Sequence, residues 1–120
     1  MGKIFILEDE DSIRELLETL FDMEGYNVIS TSTIKEFNTM NQVHEVDLYL
    51  LDIRLPDGSG IDVCNNLKNN TQTSHIPVVM MSAHAKVYDI ESYCRADAFV
   101  AKPFDLDTML ATVFECMADI

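Results

Sequence analysis

The sequence predicts an α/β domain in which a doubly wound, five-stranded parallel sheet carries helices on both faces. Three observations predict it. Short apolar runs and amphipathic segments alternate five times along 120 residues, and that alternation calls for a parallel sheet with right-handed crossovers. The third run, Asp47–Leu51, is apolar on both faces, as a strand covered on each side must be. Capping signatures mark where two of the helices begin. The length suits a single domain, residues 1–120, large enough to bury a core.

Lys3 to Leu7 is the first strand. The helix after it places Ile13, Leu16, Leu17, Leu20 and Phe21 at i, i+3, i+4, i+7 and i+8, one apolar stripe. Ser12 with Glu15 forms the expected capping box, and Gly25 ends the helix. Tyr26 to Ser30 is the second strand; Thr33 and Glu36 repeat the capping signature before a weaker helix through about Asn41. After the third strand, "RLPDGSG" at 54–60 is a loop by composition, leading into a helix from Ile61 to about Asn69. Ile76 to Met81 is the fourth strand, with Pro77 near its start, where a missing donor does least harm. A helix over Val87–Cys94, a short strand over Ala98–Ala101 and a last helix striped by Leu106, Met109, Leu110, Val113, Phe114 and Met117 complete the order.

Composition narrows the function classes. With 48% hydrophobic and 24% charged residues the chain is expected to fold and to be soluble. No apolar stretch approaches the ~18 residues of a membrane span, and no signal peptide pattern opens the chain, so the expected location is cytoplasmic, with no membrane partner. A formal charge of −13 repels a phosphate backbone, so no nucleic acid partner is expected of this domain. Cys64, Cys94 and Cys116 make no CxxC pattern and are expected to be buried free thiols. The three histidines make no ligand motif.

Ligands of such sheets bind beyond the carboxyl ends of the strands. There the sequence puts Glu8 and Asp9 after the first strand, Asp52 after the third, Ser82 after the fourth and Lys102 after the fifth. The crowding in "ILEDED" is costly, since two unit charges ~5 Å apart repel by about 3 kcal/mol at a dielectric near 20. A hard cation such as Mg²⁺, which takes oxygen ligands, offsets it. Glu10 and Asp11 are explained by a helix N-terminus that favours acids and are given no site role.

The pieces "ILEDED", "DLYLLDIRLPDGSGIDV", "PVVMMSAHA" and "ADAFVAKPF", weak singly, together resemble the receiver domain of two-component response regulators over essentially the whole chain. The resemblance implies the flavodoxin-like strand order 2-1-3-4-5. It implies that Asp52 accepts a phosphoryl group from a histidine kinase, a histidine phosphotransfer protein or a small acyl phosphate. Glu8, Asp9, Asp52 and the backbone carbonyl of Arg54 are then the Mg²⁺ ligands, Ser82 and Lys102 contact phosphoryl oxygens, and Phe99 is the aromatic switch whose rotamer follows Ser82. The output surface is the helix at 87–94, the strand at 98–101 and the last helix. Output is expected through a downstream effector protein or an output domain outside these residues, and a homodimer is left open. The resemblance implies no enzyme beyond phosphoryl transfer onto itself and autodephosphorylation. It also implies a cis peptide before Pro103.

The chain departs from that pattern in places. Arg95 stands where the family usually has a glycine, a position favouring φ > 0 in which Arg would be strained. Phe99 lacks the hydroxyl of the frequent Tyr. Arg54 and His84, two residues beyond Asp52 and Ser82, flank the expected phosphoryl group and either set its lifetime or are simply exposed. Rival readings are weaker on the residues. A flavodoxin-like cofactor binder needs a Gly, Ser or Thr-rich phosphate loop where this chain has "EDED". A haloacid-dehalogenase-like phosphatase needs an Asp two residues after Asp52, where Arg54 stands. A receiver-like interaction domain that is never phosphorylated remains the alternative.

Overall fold

The computed structural model describes residues 2–42, 45–83 and 94–118. Five parallel strands, β1 (Lys3–Leu7), β2 (Asn27–Thr31), β3 (Leu48–Asp52), β4 (Val78–Ser82) and β5 (Ala98–Ala101), form one sheet in the order β2-β1-β3-β4-β5. Four described helices accompany them: α1 (Asp11–Met23), α2 (Ile34–Asn41), α3 (Gly60–Asn69) and α4 (Leu106–Ala118). The expected α/β class and strand order are what is found. The helix expected over 87–94, like His84, falls almost wholly outside the described residues.

Period-two alternation along the strands builds two cores. Phe5, Leu7, Tyr49, Leu51 and Met80 pack with Phe37 of α2 and Val63, Cys64 and Leu67 of α3. Their neighbours Ile4, Ile6, Leu48, Leu50, Val79 and Met81 pack on the other face with Leu17 and Phe21 of α1 and Met109 and Val113 of α4. β1 and β3 lie between these layers and are almost wholly apolar, which explains why they read as unbroken hydrophobic runs.

The ends of the helices show where local chemistry decides. At the end of α1, Gly25 takes φ +88. Tyr26 N–H reaches Phe21 O at 3.1 Å and Gly25 N–H reaches Asp22 O at 3.0 Å, a Schellman motif closed by the Phe21–Tyr26 ring contact. α2 begins as expected, with Thr33 accepting from Glu36 N–H and the Glu36 carboxylate accepting from the Ser32 hydroxyl. The Asp57 carboxylate adds a second cap from outside the helix, accepting from Ile34 N–H and Lys35 N–H at 2.9 and 3.0 Å.

Several expectations need correction. α1 starts at Asp11 with Glu10 as its N-cap and no side-chain cap, so Ser12 lies inside the helix and its capping box with Glu15 does not form. The start moves because Arg14 N–H already donates to Glu10 O at 2.9 Å, which makes Glu10 the cap position, while the Glu10 N–H donates to the Glu8 carboxylate at 3.1 Å. Leu16, Leu106 and Phe114, assigned to core stripes, are exposed; each helix buries a narrower stripe than its apolar residues span. Arg95 is not strained: no described residue other than glycine has positive φ, and the Arg95 guanidinium donates to Asn69 at the end of α3.

Candidate functional site

Four of the five strands, β1, β3, β4 and β5, end in or lead directly into a residue of the site, because a parallel sheet brings all its carboxyl ends to one edge. Leu7 ends β1 in register with Leu51 of β3, so Glu8 and Asp52 emerge side by side. Asp52 pairs with Met81 of β4, which puts Ser82 next along that strand, and Ser82 pairs with Ala101 of β5. Lys102 N–H then donates to Ser82 O at 2.7 Å and the chain turns through a cis Lys102–Pro103 bond.

The side chains meet. Lys102 Nζ lies 2.5 Å from Glu8 Oε1 and 3.0 Å from Asp52 Oδ2, bridging residues from opposite ends of the sequence. Glu8, Asp52 and Ser82 are buried, while Asp9 is exposed at the rim. Carboxylate oxygens of Glu8, Asp9 and Asp52 all fall within 4.8 Å of one another. Asp52 Oδ1 accepts from Ile53 N–H at 2.8 Å. Above them opens a cleft of about 380 Å³, lined by Asp9, Asp52, Arg54, Ser82 and Lys102 among others. The Arg54 side chain is exposed there, and its backbone pairs with Ser59 in a two-residue antiparallel ladder.

The electrostatics are unbalanced. Burial pushes the Glu8 carboxyl up to about 7 against the opposing hydrogen bond from Lys102, and the nearby Asp52 charge adds to the rise. Burial pulls the Lys102 ammonium down, but its hydrogen bonds to Glu8 and Asp52 outweigh that and leave it raised, hence fully charged. Three carboxylates thus face one ammonium. Such a donor set, all hard oxygen with excess negative charge, fits a divalent cation of the Mg²⁺ type.

Phe99 lies one layer below, opposite Met80 and half-buried against the core on the α2/α3 side. Two residues that pattern reading missed shape the site. Gly60 N–H donates to Ile53 O at 2.7 Å, and a Cβ on Gly60 would sit 1.8 Å from Asp52 O, so only glycine lets α3 start this close to the site strand. The "DGSG" run was a loop by composition, which says nothing of close approach. Arg14 donates from Nη1 to Glu8 O at 3.0 Å while its Nη2 pairs with Asp11 at 2.6 Å, holding the β1–α1 turn. The acids three residues before and four after Arg14 were the available signal.

A family model described as the response regulator receiver domain matches residues 4–114. The DNA-binding dual master transcriptional regulator RpaA of Synechocystis is 33% identical over 115 residues, which cover 94% of this chain and 48% of that protein. The polar-differentiation response regulator DivK of Brucella ovis is 30% identical over 118 residues, covering 97% of this chain and 96% of DivK. The chain therefore spans about half of one relative and nearly all of the other. In fold, the signal receiver domain of a Syntrophus aciditrophicus signal transduction histidine kinase superposes with a TM-score of 0.92 at 24% identity, covering 100% of this chain and 92% of that one. The receiver domain of the Pseudomonas aeruginosa sensor histidine kinase PA1611, whose active-site cleft coordinates a magnesium ion, superposes at 0.87 with 19% identity, covering 98% of each chain.

Proposed function

The chain belongs to the response regulator receiver domain family of two-component signalling, and from that membership we propose that Asp52 is its phosphoacceptor. In this reading residues 1–120 act as one receiver domain. The donor is the phosphohistidine of a kinase or phosphotransfer protein, or a small acyl phosphate. An Asp52 carboxylate oxygen attacks phosphorus, and the bond from phosphorus to the donor nitrogen or oxygen breaks. The observation that carries the proposal is the Lys102 bridge between two buried carboxylates, with Ser82 on the neighbouring strand end.

Each residue has a task. Glu8, Asp9, Asp52 and the backbone carbonyl of Arg54 would hold Mg²⁺, which would supply positive charge to offset the charge of the transferring phosphoryl group. Lys102 supplies the remaining positive charge from the protein itself and orients the Asp52 carboxylate. After transfer, Ser82 donates to a phosphoryl oxygen, and Phe99 follows into the space vacated beneath it. That shift biases a two-state equilibrium whose output face includes β5 and α4. A downstream effector protein or an output domain reads that face, and a homodimer is one form the reading takes. No helix among the described residues is long and apolar enough to cross a membrane. In this reading the domain meets its phosphoryl donor in the cytoplasm.

The receiver domain is a signalling module, and its only chemistry in this proposal is its own phosphorylation and autodephosphorylation. Intact-protein mass spectrometry after acetyl phosphate and Mg²⁺ tests it. Wild type should gain one phosphoryl group and Asp52→Asn none. Labelling of neither, with the fold intact, would leave the unphosphorylated interaction domain as the better account, and equal labelling of both would put the phosphoryl group on a residue other than Asp52.

A further inference from the structure

Given the metal reading of Glu8, Asp9 and Asp52, on which this rests, we propose that Arg14 is a positioning residue for the cation: it holds the main chain on both sides of Asp9. Glu8 and Asp9 follow directly on β1, and Glu8 N–H still donates to Thr31 O of β2 at 3.1 Å. The Glu8 carbonyl is taken by the Arg14 side chain, with Nη1 donating to Glu8 O at 3.0 Å. Arg14 N–H donates to Glu10 O at 2.9 Å. One residue thus fixes the carbonyls of both neighbours of Asp9. Asp9 itself is exposed at the rim, so that backbone, more than packing, sets the direction of its carboxylate.

This grip is one that a metal does not contest. Glu8 is also held by its carboxylate, Oε1 by Lys102 and Oε2 by Glu10 N–H at 3.1 Å. Those are the oxygens a hard cation needs, so both contacts must loosen or be shared when it arrives. The bond from Arg14 uses a different atom and is compatible with a bound ion. A guanidinium suits the task because its planar fork holds two acceptors at once. While Nη1 holds Glu8 O, Nη2 pairs with Asp11 at 2.6 Å and Nε lies 4.0 Å from Glu18. Glu18 in turn accepts from the Ser30 hydroxyl of β2 at 3.1 Å, which anchors the fork to the sheet.

Helix chemistry alone does not call for an arginine here. A cation near the N-terminus of a helix opposes the helix dipole, and α1 begins at Asp11, one turn earlier. The Asp11 and Glu18 carboxylates offset the Arg14 charge, which leaves geometry as its contribution.

Outer partners that orient metal ligands are worth about 10- to 100-fold in metal affinity. The test is a MgCl₂ titration of the whole chain followed by backbone amide shifts in NMR spectra, which report on the folded molecules. Arg14→Met should weaken Mg²⁺ binding about tenfold or more. The sign is decisive, because losing a cation beside an acidic cluster would, by charge alone, tighten binding. Tighter or unchanged binding by folded Arg14→Met overturns the proposal. So does a lowered melting temperature with wild-type affinity, which reduces Arg14 to a contact of the fold. Arg14→Lys keeps the charge and loses the fork, so it should fall between the two. Where Arg14→Met does not fold, wild-type affinity in Arg14→Lys overturns the proposal. Wild-type amides at the strand ends that ignore MgCl₂ would instead defeat the metal reading itself, and this inference with it.

Discussion

Two lysines in this molecule have the same side-chain burial and opposite meanings. Lys68 and Lys102 are each 10% exposed and each meets an aspartate within 3.0 Å. Lys68 pairs with one half-exposed carboxylate, Asp97, and donates to Ile76 O at 2.9 Å; Asp97 in turn accepts from Val78 N–H at 2.8 Å. One cation, one anion and the adjacent peptide dipoles balance, and the result fastens α3 to the start of β4. Lys102 meets two buried carboxyl groups with Asp9 close by, and the acids outnumber the one ammonium. A buried charge that is matched is structure; one left outnumbered asks for a ligand.

The widest separation between the two should come from Lys102→Met and Lys68→Met assayed side by side. Losing the Lys102 ammonium should slow acetyl phosphate labelling about 10²- to 10³-fold, the scale of removing one electrostatic stabiliser of a transition state. Lys68→Met should label near the wild-type rate while lowering thermal stability, since it leaves the Ile76 carbonyl and Asp97 without their cation. Comparable labelling defects in both would mean that burial, not position at the strand ends, is what matters.

Next in size is Gly60→Ala. The new Cβ meets the Asp52 carbonyl oxygen at 1.8 Å and the Ile53 Cα at 3.2 Å, backbone atoms that cannot swing aside. Overpacking against rigid neighbours costs about 1–3 kcal/mol, and here the displaced strand end also carries the proposed phosphoacceptor. Urea unfolding should show the loss, with slower labelling beside it. A wild-type midpoint would show that the turn between β3 and α3 relaxes freely.

The same contrast explains what was legible in the sequence. Strand cores were, because period-two burial writes itself into residues such as Ile4 to Leu7 and Leu48 to Leu51, and the topology then carries Glu8, Asp52, Ser82 and Lys102 to one edge. The Lys68–Asp97 tie was not, since nothing local marks which residues of two distant segments meet. Gly60 was visible only as a loop former, because close backbone approach leaves no periodic trace. The Ser12 cap misled for a different reason: the first helical bond runs from Arg14 N–H to Glu10 O, so the helix is under way before Ser12. Local pattern fixes elements; the first backbone bond made decides where they begin.

The smallest expected effect bears most directly on the outnumbered charge. Glu8 is pushed up to about 7 by burial, so the folded protein binds its proton more tightly than the unfolded chain, whose value is near 4.5. Without Mg²⁺ its contribution to stability is therefore complete below about 4.5 and is lost as pH rises through about 7. Lys102, raised, stays protonated across that window and does not change the sign. A divalent cation competes with the Glu8 proton, so Mg²⁺ should stabilise more at pH 8 than at pH 5.5. At ten times its dissociation constant, ligand binding stabilises by about 1.4 kcal/mol. Thermal melts with and without MgCl₂ at the two pH values measure this, and Glu8→Gln should flatten the pH dependence. An equal Mg²⁺ shift at both would place the ion at exposed carboxylates such as Asp9 and Glu10, and the buried imbalance around Lys102 would need another explanation.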